Sequence, residues 1–474
     1  MRAVVLTEYG DADVLRVAEV PEPEIGPEEV IVEVVATALN RADLLQRRGW
    51  YPEPGPKRPH EIPGMELAGR VLRTGSLVAR WKVGDEVMAI VGGGAYAEQV
   101  AVHERQLMRV PSGVAVADAA AIPEVGITAH DALVVQGGLA AGGWALVHAG
   151  ASGVGSMAVQ IVAAMGARSV ATTSAGKVAA VEGLGADVVV DYGASDFVDA
   201  VAEATGGEGV DVVLDVVGGD YLMRNVRSLR TGGTIVQVGV MGGGATTIEL
   251  GALLPKRAHL VGTVLRACPL EEKAQASLRF EREVVPAIEA GAVRPVIDRR
   301  FPLDAIADAH RYLETNANIG KVVIDLVGVE PAQEALSAAP RATGPSHLVD
   351  TSSAASAVRW TPSGRAAWSL AIPDSVSHHP RSATATRAGP RRRARASPGG
   401  GPRDGPGPLG ATRPGSSTGR SWARRARRPW ARRRRGRWRW RRRSRLGSAG
   451  GTRRRWERAL RCRGTAGRRC PSRR

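Results

Sequence analysis

The stretch Ala145–Gln160, Ala-Leu-Val-His-Ala-Gly-Ala-Ser-Gly-Val-Gly-Ser-Met-Ala-Val-Gln, constrains the fold more than any other part of the chain. It reads as a short apolar strand, a glycine turn and the first turns of a helix. Such a turn leaves backbone N–H groups bare at a helix N-terminus, where a pyrophosphate can sit. Against Gly-x-Gly-x-x-Gly, the turn matches at Gly150 and Gly155 but carries Ser152 in the middle place. That match is weak alone and gains weight from its setting. Strands are expected at 146–149, 169–173, 188–191, 212–217 and 234–240, with helices at 154–165, 177–183, 197–204 and 221–229 between them. This alternation predicts an α/β, doubly wound parallel sheet, extended by a sixth strand at 260–265. Before it, a helix is expected from an N-cap at Asp118 to Leu133, interrupted at Pro123.

Residues 1–117 have another texture. Val4–Leu6, Glu29–Val35 and Ala68–Leu72 read as strands, punctuated by Pro21, Pro23, Gly26, Pro27, Pro54, Pro56 and Pro63. This suggests a small barrel-like domain. Helices at 272–290 and 304–316 and a strand at 321–326 resemble that domain more than the alternating one. The expected layout is 1–122 for the first part of a catalytic domain, 123–292 for the nucleotide domain, 293–328 for the return, and 329–474 for a tail.

The tail distorts the overall charge of +18. From Pro331 onward there are 36 Arg, no Lys and 5 acidic residues, which leaves 29 basic and 42 acidic residues before it. The first part is an ordinary acidic protein. The second is rich in Arg, Pro, Gly, Ser and Ala and is expected to be disordered. Arg runs interleaved with Trp422, Trp430, Trp438 and Trp440 would suit nucleic acid. The competing reading is translation of a G/C-rich frame, because Lys, Asn, Tyr, Phe and Met are absent there. Cys268, Cys462 and Cys470 cannot build a disulfide framework. No leader peptide or membrane span stands out, so a cytoplasmic protein is expected.

The second strand of the nucleotide unit identifies the dinucleotide. NAD sites carry an acid about 20 residues past the glycines to hold the ribose 2′-OH. Here the strand ends Thr172-Thr173-Ser174-Ala175-Gly176-Lys177, without an acid. Ser174 and Lys177 stand where a 2′-phosphate needs donors and positive charge, and Tyr192 stands ready to cover it. NADPH is the expected cofactor. Ser152 is expected to donate to the pyrophosphate.

The two-lobe layout is similar to that of the zinc-dependent alcohol dehydrogenases of the medium-chain dehydrogenase/reductase superfamily. Those enzymes have a Cys where this chain has Asn40, and Gly-His-Glu where it has Gly64-Met65-Glu66. An amide and a thioether are not credible Zn²⁺ ligands, so no metal is expected. Ala-Leu-Asn40-Arg-Ala-Asp, Pro63-Gly-Met-Glu-Leu-Ala-Gly, Ala121-Ile-Pro-Glu, His148-Ala-Gly-Ala-Ser-Gly-Val-Gly, Val240-Met-Gly-Gly-Gly and Asn318-Ile-Gly-Lys-Val-Val resemble the zinc-free quinone oxidoreductases of that superfamily, the stress-inducible NADPH-dependent branch above all.

The resemblance runs from Met1 to about Val327. It implies a GroES-like catalytic domain, a Rossmann domain, a homodimer or homotetramer, and a small-molecule substrate, a quinone or an enal. It also implies residue roles. Asn40, Tyr51 and Thr128 would border nicotinamide and substrate. Ser152, Gly153, Val154 and Gly155 would hold the pyrophosphate, and Ser174, Lys177 and Tyr192 the 2′-phosphate. Gly239, Val240 and Met241 would line the nicotinamide ribose, with Leu265 and Arg266 nearby. Asn318 and Lys321 would close the cleft. Asn40 or Tyr51 could donate to a developing oxyanion, and Tyr51 could pass a proton.

Overall fold

A computed structural model describes residues 1–54 and 59–326. The expectations for 329–474, whether disorder, nucleic-acid binding or out-of-frame origin, lie outside the described residues.

β-Branched residues build the first sheet. The strand Glu29–Ala38 is Glu-Val-Ile-Val-Glu-Val-Val-Ala-Thr-Ala, and Glu33 alone within it is exposed. It lies inside a seven-stranded sheet and pairs antiparallel with Glu66–Thr74, Gln99–His103 and Lys321–Asp325. Two register shifts against Glu66–Thr74 bend the pair, as bulges do. Lys321–Asp325 also runs parallel to Ile297–Pro302. The chain therefore leaves this sheet, builds a second lobe and returns to complete it.

The second lobe is a six-stranded, all-parallel sheet. Its order is Val188–Asp191, Arg168–Thr173, Trp144–Val147, Val210–Asp215, Leu229–Gln237, His259–Gly262. Trp144–Val147 comes first in the chain yet sits inside the sheet. Successive strands step outward on one side and then cross to the other. The strand order reverses between Trp144–Val147 and Val210–Asp215, and a crevice opens there at the carboxyl ends. Val212, Val213 and Leu214 are fully buried, as expected of a parallel strand covered on both faces.

Several boundaries differ from the sequence expectation. Asp118 is not an N-cap: Ala115 occupies that place before the short helix Val116–Ala119, and the Asp118 carboxylate pairs with Arg300 at 2.7 Å. The helix Pro123–His130 continues into a π-helical turn, Asp131–Gln136. The expected 272–290 helix is two helices, Leu270–Glu283 and Val285–Glu289, because Pro286 lacks the N–H needed to continue the first. The sixth strand stops at Gly262.

The two lobes share a core. One apolar cluster joins Ala36, Ala68 and Met88 of the first sheet to Val147, Met157 and Leu214 of the second lobe, through Ile122, Val125 and Ile127. The helix Pro123–His130 thus lies wedged between the sheets, with residues from both packed against it.

Candidate active site and phosphate cradle

The glycine turn rests on a buried polar chain. His148, just past Trp144–Val147, is fully buried and pairs with Thr172 Oγ1 at 3.0 Å and Asn225 Oδ1 at 2.8 Å. Asn225 Nδ2 donates to Asp215 Oδ2 at 2.8 Å, and Asp215 Oδ1 accepts from the amides of Val217 and Gly218. Burial pushes the His148 pKa down, so the ring is neutral at physiological pH. The chain ties the carboxyl ends of three neighbouring strands together.

On that base Ala149 adopts a left-handed φ of 55°, and the Gly150 amide donates to Thr172 O at 2.8 Å. Ser152 Oγ accepts from the Gly155 amide at 3.0 Å and caps the helix Gly153–Ala164. Its hydroxyl hydrogen is still available to donate. A Cβ on Gly155 would run into the Ala149 carbonyl, so the turn needs glycine there. The first-turn amides of Gly153 and Val154 have no partner within the helix. The geometry fits a pyrophosphate.

At the far end of the crevice two cations share one corner. Lys177 Nζ donates to Asn316 O at 2.6 Å and Asn318 O at 2.7 Å. The Arg41 side chain bonds Asn316 Oδ1. Burial lowers the pKa of both cations, and Arg41 lowers that of Lys177 further, against the pull of Asp298. An added anion would relieve both, so this corner fits a 2′-phosphate. Ser174 is half-buried beside Lys177, and Tyr192 is exposed, with its amide bonded to Thr173 O at 3.1 Å. Arg41 was missed by sequence reasoning, although it stands next to Asn40.

Gly239, Val240 and Met241 follow Leu229–Gln237, and the Met241 amide donates to Val216 O at 3.2 Å. The Val240 and Met241 side chains are exposed. Leu265 packs against the shared core. The resemblance puts Arg266 close to the nicotinamide ribose. Its guanidinium crosses to the first lobe and donates to Gly92 O at 2.8 Å, Tyr51 O at 2.9 Å and Gln46 Oε1 at 2.7 Å, lying 4.9 Å from the Tyr51 ring centroid. It clamps the segment around Tyr51 to the second lobe.

Beside Asn40 and Glu66 the chain buries an ammonium. Lys321 is 3% exposed, and its Nζ lies 2.6 Å from Leu39 O, 2.6 Å from Asn40 Oδ1 and 2.7 Å from Glu66 Oε1. Asn40 Nδ2 donates to Glu66 Oε1 at 2.9 Å. All three Lys321 donors are occupied, so Lys321 braces Asn40 and neutralises Glu66. The segment before it is stitched to the glycine turn, with the Gly320 amide on Ala151 O at 2.8 Å. A Cβ on Gly320 would strike Val296 O. Asn318 turns its Nδ2 back onto Gly320 O at 2.7 Å, and only its carbonyl reaches Lys177.

Residues 26–112 match the family model for an alcohol dehydrogenase GroES-like domain, and 184–324 the model for a zinc-binding dehydrogenase. A quinone oxidoreductase of Pseudomonas aeruginosa is 34% identical over 320 residues, which is 67% of this chain and 97% of that protein. The chain belongs to the zinc-free, quinone oxidoreductase-like branch of the medium-chain dehydrogenase/reductase superfamily. A chloroplastic NADPH-dependent alkenal/one oxidoreductase of Arabidopsis thaliana is also 34% identical, over 68% of this chain and 79% of its own length. The crystal structure of Escherichia coli quinone oxidoreductase complexed with NADPH superposes with a TM-score of 0.63 at 28% identity, covering 69% of this chain and all of that one.

This branch member carries buried acids that the motifs did not single out. Glu66 is fully buried, and its Oε2 accepts from the Glu124 amide at 2.8 Å. Glu124 opens the wedge helix, half-buried, with its carboxylate hydrogen-bonded to Thr128. Loss of water pushes the Glu124 pKa up to about 7; Glu66 and Asp43 add repulsion, while Lys321 and Thr128 oppose the rise. Behind them, burial raises Asp43 to about 6 although it accepts from the Asn40 amide and from the Tyr96 hydroxyl at 2.9 Å. Burial also lowers His310, 3.4 Å from that hydroxyl, to about 3, so it is neutral. The signal for Glu66 and Glu124 was a carboxylate inside an otherwise apolar run.

A separate cavity of about 300 Å³ lies between the wedge helix and Leu270–Glu283, lined by Ile127, His130, Asp131, Leu265 and Cys268 among others. It includes no residue of the phosphate turn or of the Lys321 cluster. Among the described residues no His, Cys, Asp and Glu gather as a metal site, and no helix is long and apolar enough to cross a membrane.

Proposed function

We propose that this oxidoreductase reduces quinones by hydride transfer from NADPH, without a metal. The observation that carries the reading is the Asn40–Glu66–Lys321 cluster beside the phosphate turn. An amide and a thioether, Asn40 and Met65, stand where zinc enzymes carry ligands, and Lys321 and Glu66 neutralise each other beside Asn40, so this reading assigns no Lewis acid for alcohol oxidation. A quinone is electrophilic enough to need none. Alignment of substrate and cofactor between two lobes with a shared core then supplies much of the rate. The amides of Gly153 and Val154 and the Ser152 hydroxyl bind pyrophosphate, and Lys177, Arg41 and Ser174 bind the 2′-phosphate under Tyr192. Gly239–Met241 line the ribose. Asn40, Tyr51 and Thr128 border the substrate.

The similarity to an alkenal/one oxidoreductase favours a second reading, reduction of an activated C=C by the same cofactor. A panel of ortho- and para-quinones against enals, followed by NADPH oxidation and repeated with NADH and with chelator, separates the two. Quinone turnover selective for NADPH and indifferent to chelation is expected. Loss of activity on chelation overturns the metal-free reading, and turnover of enals alone overturns the quinone one.

The assembly we propose is a homodimer through the edge strand His259–Gly262. Among the described residues no strand pairs with its outer edge, and Leu250, Leu254, Leu260 and Val264 around it are exposed. Sedimentation should give a dimer mass, and Leu260→Lys should give a monomer. With only three cysteines in the chain, a reducing compartment, the cytoplasm, suits it.

A further inference from the structure

We propose that Glu124 is the proton donor of this site, delivering its carboxyl hydrogen to the oxygen of the reduced substrate. The proposal rests on the hydride-transfer reading above. In that reaction the substrate takes two electrons and one hydrogen as hydride, NADPH is oxidised to NADP⁺, and the substrate oxygen is left anionic. A second hydrogen must arrive as a proton. The Glu124 O–H bond breaks as the substrate O–H bond forms, and the carboxylate that remains is reprotonated from water.

Placement singles out Glu124. It stands at the start of the wedge helix, one turn before Thr128, and is partly exposed while its neighbour Glu66 is sealed. The charged and titratable groups around it come from every element packed there: Glu66 from the first sheet, Asp43 from the helix Arg41–Arg47, Lys321 from the last strand and Tyr51 from the segment after that helix. Lys321 is committed to Glu66 and Asn40, so it cannot lock Glu124 in the charged form as a direct partner. Burial, with added repulsion from Glu66 and Asp43, holds Glu124 toward the protonated form against the opposing Lys321, and its position near 7 is matched to a proton transfer at neutral pH. Tyr51 is the weaker candidate. Burial raises its hydroxyl above the ordinary 10, and its ring is held under the Arg266 guanidinium.

The test uses the full chain. With a protonated donor required, wild-type kcat is constant at low pH and falls as pH rises through about 7. Glu124→Gln should remove that limb and lower kcat roughly 10²–10⁴-fold, the usual range for a lost acid. NADPH affinity, read by fluorescence titration, should stay unchanged. Thr128→Val removes a hydrogen bond to the charged form and should move the limb to higher pH. Glu124→Asp keeps a carboxyl and should retain a limb at reduced rate, which covers the case in which Gln fails to fold.

A readout independent of turnover is infrared titration of the NADP⁺ complex. A protonated-carboxyl band lost near neutral pH in wild type should be absent from Glu124→Gln. Wild-type kcat and an intact limb in Glu124→Gln, or a band that this substitution leaves in place, overturns the proposal. If wild type turns over neither quinones nor enals, the functional reading fails instead, and the infrared titration still decides whether Glu124 holds a proton at neutral pH.

Discussion

Replacing Lys321 with Met should destabilise the protein by about 3–5 kcal/mol, the range for breaking a buried ion pair from one side. Glu66 is fully buried and Lys321 nearly so, with 2.7 Å between Nζ and Oε1. At an effective dielectric constant of about 20, that separation corresponds to a gross attraction of about 6 kcal/mol. The net loss is smaller than that attraction, because Glu66 keeps hydrogen bonds from Asn40 Nδ2 and the Glu124 amide. Met matches the length of the Lys stem, so the loss is mainly electrostatic. Urea unfolding followed by circular dichroism measures it. The double variant Lys321→Met, Glu66→Gln should recover at least about 2 kcal/mol of the summed single losses, since no charge is then stranded. A single-variant loss below about 1 kcal/mol, the worth of a surface pair, or strict additivity in the double would refute the reasoning.

Lys177→Gln should weaken NADPH binding roughly ten- to hundredfold, from a charge-assisted hydrogen bond of about 1.5–3 kcal/mol, and leave NADH binding unaltered; equal losses for both would remove Lys177 from the 2′-phosphate corner. Arg266→Leu cuts three hydrogen bonds to the first lobe, so limited proteolysis near Tyr51 should speed up and stability should fall by roughly 2–3 kcal/mol. Arg109, with help from the Ser112 amide, holds Glu289 down to about 2 against the opposing effect of burial. A depressed carboxylate contributes stability above its unfolded pKa of about 4.3, and that contribution fades as pH falls toward 2. Glu289→Gln should therefore flatten the acid limb of stability between about pH 5 and 2, as thermal melts across that range would show.

The sheet topology was legible because periodicity is a local property. Valine-rich strands alternating with helices, with a glycine turn after the first, led to the parallel order seen around Trp144–Val147. Element ends were less legible. Asp118 reads as an N-cap by residue type, yet Arg300, 182 residues away, takes its carboxylate. The site divided in the same way. Residues that act through backbone, such as Gly153 and Gly155, announce themselves by spacing. Those that act through a distant partner do not: Arg266 binds the Gly92 and Tyr51 carbonyls, and Lys321 pairs with Glu66.

By itself the sequence determined the phosphate turn, the acid-free strand end that favours a 2′-phosphate, and the loss of metal ligands at Asn40 and Met65. Each is a matter of which residue stands at one place along the chain. Only the tertiary structure decided what surrounds Asn40. Glu66, Glu124 and Lys321 lie far apart in sequence and meet because the last strand returns to the first sheet. Their charges acquire meaning only once burial removes the water between them.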